Sequence, residues 1–138
     1  MIKFRFENLE IWQRAVEVAR KLFKVADILE EKRLFRFADQ LRGAGLSMPN
    51  NIAEGSGSTS IKEFVQFLNI ARRSTFENAS MVIIFAKDNL IPGHVKDQIL
   101  QDLDELCRMI TAFSRTLNNK HQESKGRSDQ PRGKNHKN

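Results

Sequence analysis

The chain has 138 residues, 40% hydrophobic and 29% charged, with a formal net charge of +6; this suits one globular domain able to bury a core. No apolar run approaches the ~20 residues of a membrane-spanning helix, and Met1 to Phe6 is too short, with Glu7 and Glu10 close behind, for a signal peptide; a cytoplasmic protein that avoids membranes is expected. The single cysteine, Cys107, excludes an intramolecular disulfide and reads as a buried, reduced thiol on an apolar helix.

Ile2, Phe4 and Phe6 alternate with Lys3 and Arg5, the pattern of a short extended arm with one apolar edge. Such an arm packs either on its own bundle or on a neighbouring subunit. A first helix is predicted over residues 9–29, with Asn8 as N-cap and Glu10 in its first turn. Its stripe is Leu9, Trp12, Val16, Ala19, Phe23 and Ala26. After a turn at Glu30-Glu31-Lys32 a second helix is predicted over 33–54. Leu34, Phe37, Leu41, Ala44, Met48 and Ile52 give it an apolar face that runs straight through Pro49. Pro49 lacks an N–H and presses on the carbonyl of Gly45, so a kink is expected there, with Gly55 as the C-terminal cap.

The segment from Gly55 to Ser60 is a loop by composition. Ser60 and Glu63 form a capping box for a third helix over 61–87, which Asn89 stops. In a helix the apolar run Met81 to Ala86 covers every side, and Phe35 and Leu46 also lie off their stripe; these point to self-association. Pro92 suits the first turn of a fourth helix. Its residues Val95, Ile99, Leu103, Leu106, Ile110, Phe113 and Leu117 repeat at heptad-like steps suited to bundle packing. The reading is therefore all-α: an antiparallel up-down-up-down four-helix bundle over residues 1–117. From Asn118 onward six basic residues stand against Glu123 and Asp129, a charge of +4 that leaves +2 for the body. With no large apolar residue, segment 118–138 is expected to be a basic disordered tail.

Enzyme chemistry finds little footing. None of His94, His121 and His136 follows a Glu by three residues, so the two-metal pattern of helical bundles is missing. Only His94 lies in the expected folded part, which leaves no hydrolase triad. Gly55-Ser56-Gly57 lacks the lysine of a phosphate loop. No catalytic residue, metal or cofactor is expected. Glu54 and Glu77 lie near apolar stripes and read as members of a buried polar network with Gln40, Arg42, Asn51 or Arg72 as partners. For nucleic acid, Arg14 and Lys21 on the first helix, Arg42 on the second and the pair Arg72-Arg73 on the third are the candidate phosphate contacts. Interspersed Glu17, Asp27, Glu30 and Asp39 make the first two helices read equally well as an ordinary solvated face. The third helix and the tail are the better places to look.

Ser47, Pro49, Asn51, Ile52, Ala53, Glu54 and Gly55 form one block, with Asn8-Leu9-Glu10-Ile11-Trp12 upstream and Phe67, Leu68 and Ala71 downstream. This block resembles the bacterial four-helix-bundle proteins encoded by intervening sequences of large-subunit ribosomal RNA genes. Those proteins are similar to the accessory subunit of diversity-generating retroelements, a five-fold ring whose basic surface engages nucleic acid and a reverse transcriptase. The resemblance implies a non-catalytic cyclic homo-oligomer, a pentamer, with RNA or a ribonucleoprotein as partner. It implies, as the alternative, a scaffold for a reverse transcriptase. The chain departs from the pattern at Gly43, Gly45 and Ser58, where the family tends to carry arginine, alanine and arginine, and gains Arg73 where a small residue is usual.

Overall fold

The computed structural model describes residues 1–128. A 3₁₀ turn at Arg5–Asn8 precedes four helices: α1 (Glu10–Glu31), α2 (Phe35–Ser56), α3 (Ile61–Lys87) and α4 (Gly93–Ser128). α1 packs on α2 and α4, α3 packs on α2 and α4, and the diagonal pairs do not approach. With short connections this is an antiparallel up-down-up-down four-helix bundle. Leu22, Leu29, Leu41, Met48, Ile52, Leu68, Leu106 and Ile110 are fully buried at its centre.

Two connections share one mechanism. Arg33 and Asn89 hold the left-handed backbone conformation, with φ of 61° and 58°. After α1, the Arg33 N–H donates to Glu30 O and the Leu34 N–H to Leu29 O; after α3, the Asn89 N–H donates to Ala86 O and the Leu90 N–H to Phe85 O. Both are Schellman closures that satisfy the last helical carbonyls and turn an apolar residue, Leu34 or Leu90, back onto the core. Asn89 stops α3 as its residue type suggests. The Ser60 hydroxyl accepts from the Glu63 N–H at 3.1 Å, the expected N-cap, while the Glu63 carboxylate does not return the bond.

Several expectations change. Leu9, not Asn8, precedes α1, and no side chain caps that end. Asn8 closes the 3₁₀ turn instead, because the Leu9 N–H already donates to Phe6 O. The buried stripe of α1 is Ile11, Ala15, Val18, Ala19, Leu22, Val25, Ala26 and Leu29, which includes the predicted Ala19 and Ala26. The predicted Leu9, Trp12, Val16 and Phe23 flank it, half-buried. Small Ala15 and Val18 fit the crowded centre; Trp12 sits at the edge, its ring 5.0 Å from that of Phe6. The N-terminal arm lies on its own bundle. Phe4 stacks on Phe6, and the Arg5 guanidinium donates to the Ser56 carbonyl at the end of α2. α4 runs unbroken through Ser128, although disorder was expected from Asn118. Leu117 is the last apolar side chain packed on the core; beyond it, extending a formed helix adds one hydrogen bond per residue fixed, and no proline intervenes before Pro131. The rest of the predicted tail, including Arg132, Lys134 and Lys137, lies outside the described residues.

α2 passes through Pro49 without interruption and ends at Ser56. Gly55 is therefore not a cap: no glycine among the described residues has positive φ, and the helix closes at Gly57 with φ −82°. Gly55 serves close packing instead. A Cβ there would stand 2.8 Å from both Phe64 Cδ1 and Phe67 Cβ of α3. Farther along the same seam, Asn78, fully buried, donates to Ala44 O at 2.9 Å and to Ser74 O at 2.8 Å. The Ser47 and Ser74 hydroxyls meet at 2.9 Å, and the Asn51 amide donates to Ser47 O and Oγ. These contacts place the predicted polar network on Ser47, Asn51, Ser74 and Asn78. Glu54 and Glu77 are exposed and unpaired, because Ser74 and Asn78, four apart, share the face turned to α2 and position 77 does not.

Gly55→Ala should destabilise the chain by about 1–3 kcal/mol through overpacking against Phe64 and Phe67. Gly43→Ala, where an added Cβ meets nothing within 4 Å, should stabilise it by about 0.5–1 kcal/mol. Urea denaturation of the two variants measures both; a neutral Gly55→Ala would contradict the packing role.

Candidate nucleic-acid interface

The five predicted phosphate contacts fall into two groups. Arg14 and Lys21 project from α1 toward α4, across the least extensive helix–helix contact of the bundle. Arg14 donates to Asp102 at 2.9 Å, to Glu105 at 3.1 Å and to Glu17 at 2.8 Å. Lys21 reaches the other oxygen of Asp102 at 2.7 Å. The Asp102 side chain is only 13% exposed, so its charge is held by both cations. Arg42 on α2 likewise meets Asp27 at 2.9 Å and Glu30 at 2.7 Å on α1, with Asp39 at 3.6 Å. The Glu17 hydrogen bond above all, helped by the charges of Glu105 and Asp102 and opposed by burial, raises the Arg14 pKa. Glu30 first and then Asp27 do the same for Arg42. A phosphate approaching any of these three side chains would compete with carboxylates already in place. In each cluster the carboxylates outnumber the cations, and the evident work of these cations is to clamp α1 to its neighbours.

Arg72 and Arg73 behave differently. Neither makes an ion pair among the described residues. Arg73 is exposed on the outer face of α3. Arg72 lines a groove of about 350 Å³ between α3 and α4, together with Val65, Asn69, Thr111, Ser114, Arg115 and Asn118. No acidic side chain borders it. Two guanidinium groups, two carboxamides and the Ser114 hydroxyl thus line one furrow, a set of donors suited to phosphate oxygens, while the Thr111 hydroxyl donates to Cys107 O. The antiparallel register of α3 and α4 brings them together: Val65, Asn69 and Arg72 step along one helix as Thr111, Ser114, Arg115 and Asn118 step along the other. Sequence reasoning missed Arg115. The available signal was the polar stripe at positions 111, 114, 115 and 118, spaced three, one and three beside the apolar heptad of α4. Next to the groove the Arg72 guanidinium stands 5.8 Å from the centroid of the Phe76 ring, within cation–π range. Phe76 is 61% exposed.

The motif block lies elsewhere. Ser47, Asn51 and Gly55 face α3 in the seam described above, and Pro49 is buried. Exposed Glu54 borders a larger cavity, about 810 Å³, walled by Phe4, Arg5, Phe6 and Phe67 beneath the N-terminal arm. The motif therefore builds the α2–α3 contact, apart from the groove that Arg72 and Arg115 share; Arg20, Lys24 and Arg36 on α1 and α2 are also exposed and make no ion pair among the described residues. Among the described residues no set of His, Cys, Asp and Glu is placed to hold a metal ion, and no helix is long and apolar enough to cross a membrane. Cys107 is half-buried rather than fully enclosed.

No curated protein matches the chain. Among solved structures it is similar to a protein of unknown function from the S23 ribosomal protein family of Bacteroides thetaiotaomicron VPI-5482, at 21% identity and a TM-score of 0.72, over 75% of this chain and 97% of that one. That likeness supports the four-helix fold alone. The family model for 23S rRNA-intervening sequence proteins matches residues 7–112, from the 3₁₀ turn into the fourth helix. That match spans most of the chain, which belongs to the 23S rRNA-intervening sequence protein family.

Proposed function

We propose that the protein is a non-catalytic, cytoplasmic RNA-binding module that acts as a homo-oligomer and holds structured RNA or a ribonucleoprotein by charge. One observation carries the reading: Arg72 and Arg115 share a groove with no acid, on a body where Arg14, Lys21 and Arg42 are tied to carboxylates. Cations without internal partners release counterions from a phosphate backbone; cations already paired contribute much less. The family's description as 23S rRNA-intervening sequence proteins agrees with an RNA partner. A cyclic assembly, a pentamer in the resemblance set out above, would repeat the groove around a ring and multiply weak contacts.

A second reading keeps the oligomer and replaces RNA with protein, as a scaffold for a partner such as a reverse transcriptase. Its support is apolar exposure. Ile70 and Ile84 are 44% and 51% exposed and lie two heptads apart on the outer stripe of α3, with Phe35, Phe37 and Leu46 exposed on α2. Side chains of this size in solvent mark a contact surface.

Fluorescence anisotropy of the full chain with a hairpin RNA at two salt concentrations tests the first reading. Replacing both Arg72 and Arg115 with Ala should weaken binding about tenfold or more and flatten the salt slope by roughly 1.5, two phosphate contacts' worth. Arg42→Ala should change affinity less than about twofold. Unchanged affinity in the double variant, or an equal loss in Arg42→Ala, contradicts the groove. Light scattering tests assembly: Ile70→Asp with Ile84→Asp should reduce an oligomer to monomer, whereas an unaltered mass would remove that face from the interface.

A further inference from the structure

We infer that the α3–α4 groove takes an unpaired nucleotide, its base stacked on Phe76 and its flanking phosphates held by Arg72 and Arg115. The inference rests on the RNA reading above and adds the class of nucleic acid. Phe76 is the most exposed aromatic ring of the helices, at 61%, and core packing does not explain it: it is absent from the buried cluster and from the side chains packed on it. Arg72 sits over the ring at 5.8 Å from its centroid, four residues back on the same helix. The guanidinium takes one face of the ring, so a base would stack on the other, on a side chain that is mostly in solvent. On one side lies the basic groove with Arg115, Asn69 and Asn118. On the other, Phe76 borders a smaller cleft of about 220 Å³ with Thr75, Ala79 and Cys107; Asp104 at its edge is paired with Arg108.

This juxtaposition selects against a duplex. In a double helix the bases are stacked on one another, and a protein meets phosphates and groove edges. A ring beside a guanidinium offers its face to a base only when that base is free, in a loop, a bulge or a single strand. Arg115 lies about 12 Å along α4 from Cys107, eight residues at 1.5 Å each, which sets it beyond the stacked base to meet a neighbouring phosphate. The carboxamides of Asn69 and Asn118 line the space between. Stacking tolerates any base, so discrimination falls on strandedness more than on sequence.

The test uses the full chain and three probes that carry one 2-aminopurine: a single-stranded RNA, the same sequence as a blunt duplex, and its single-stranded DNA counterpart. Quenching on the single strands and at least fivefold tighter binding than to the duplex are expected. Phe76→Ala should lower single-strand affinity about 5- to 150-fold, the span of one base–aromatic stack, leave duplex binding within twofold and abolish the quench. Phe76→Trp should retain both. Because Phe76 is mostly in solvent, its thermal unfolding should match wild type, which separates a lost stack from a lost fold. Equal affinity for strand and duplex, or a Phe76→Ala variant that binds and quenches like wild type while Arg115→Ala weakens all probes, overturns the stack and leaves the charge-based reading standing. No binding of any probe by wild type overturns both and favours a protein partner. Tighter binding to RNA than to DNA assigns part of the recognition to the 2′-hydroxyl; equal binding assigns it to base and phosphate alone, and either result keeps the stack.

Discussion

Pro49 has no N–H to give the carbonyl of Gly45, and an unaided helix would break or bend away at that point. Here α2 continues through it with α3 packed alongside. On one side of the proline, Asn78 from α3 donates to the Ala44 carbonyl, next to the one that Pro49 leaves free; beside it, Ser47 meets Ser74 and Asn51 folds back on Ser47; one turn beyond, Gly55 lets two phenylalanines of α3 touch the backbone. Each contact demands a small or amide-bearing side chain, and together they fix how far α3 stands from α2. The Ser47 to Gly55 block thus sets the α2–α3 contact and contributes no side chain to the α3–α4 groove.

Charge is sorted over the bundle in the same positional way. α1 meets acids of α4 and offers acids to α2: Arg14 and Lys21 pair with Asp102, and Arg42 of α2 pairs with Asp27 and Glu30. Exposed pairs of this kind add little stability one by one, but Asp102 is largely enclosed and shared, so it fixes the register of α1 on α4. The groove lined by Arg72 and Arg115 has no acid among its lining residues. Two cations thus share one acid-free furrow where α3 and α4 meet, while three of the cations at the α1 seams are tied to carboxylates.

Much of this was legible in the chain. The heptad of α4 from Ile99 to Ile110, the span of α3, the stop at Asn89 and the passage of α2 through Pro49 follow from periodicity and backbone chemistry. What failed did so for physical reasons. In the stripe of α1, Ala19 and Ala26 were read correctly, but Leu9, Trp12, Val16 and Phe23 lie at its edge, because the apolar face is wide and periodicity alone does not mark its centre. Gly55 looked like a cap because a glycine near a helix end serves either a positive φ or a close approach, and only the neighbouring helix reveals which. Glu54 and Glu77 were drawn into a network that Asn78 and Ser74 make instead. The helix beyond Asn118 exposes its side chains, so hydrophobic patterning gave no sign of it. The interspersed acids of the first two helices already favoured the third, but which acid meets Arg14, Lys21 or Arg42 depends on register across helices, which one sequence does not display. Arg115 stood in a polar stripe of α4, but that it meets Arg72 also depends on register.

The central claim is that nucleic acid meets the α3–α4 side of the bundle. Titrating the isotope-labelled full chain with a hairpin RNA and following backbone amide shifts tests it most directly. The account predicts that perturbations concentrate at residues 65–76 of α3 and 111–118 of α4, with little change around Arg14, Lys21 and Arg42. Perturbations centred on the α1 ion pairs, or none at saturating RNA, would contradict it.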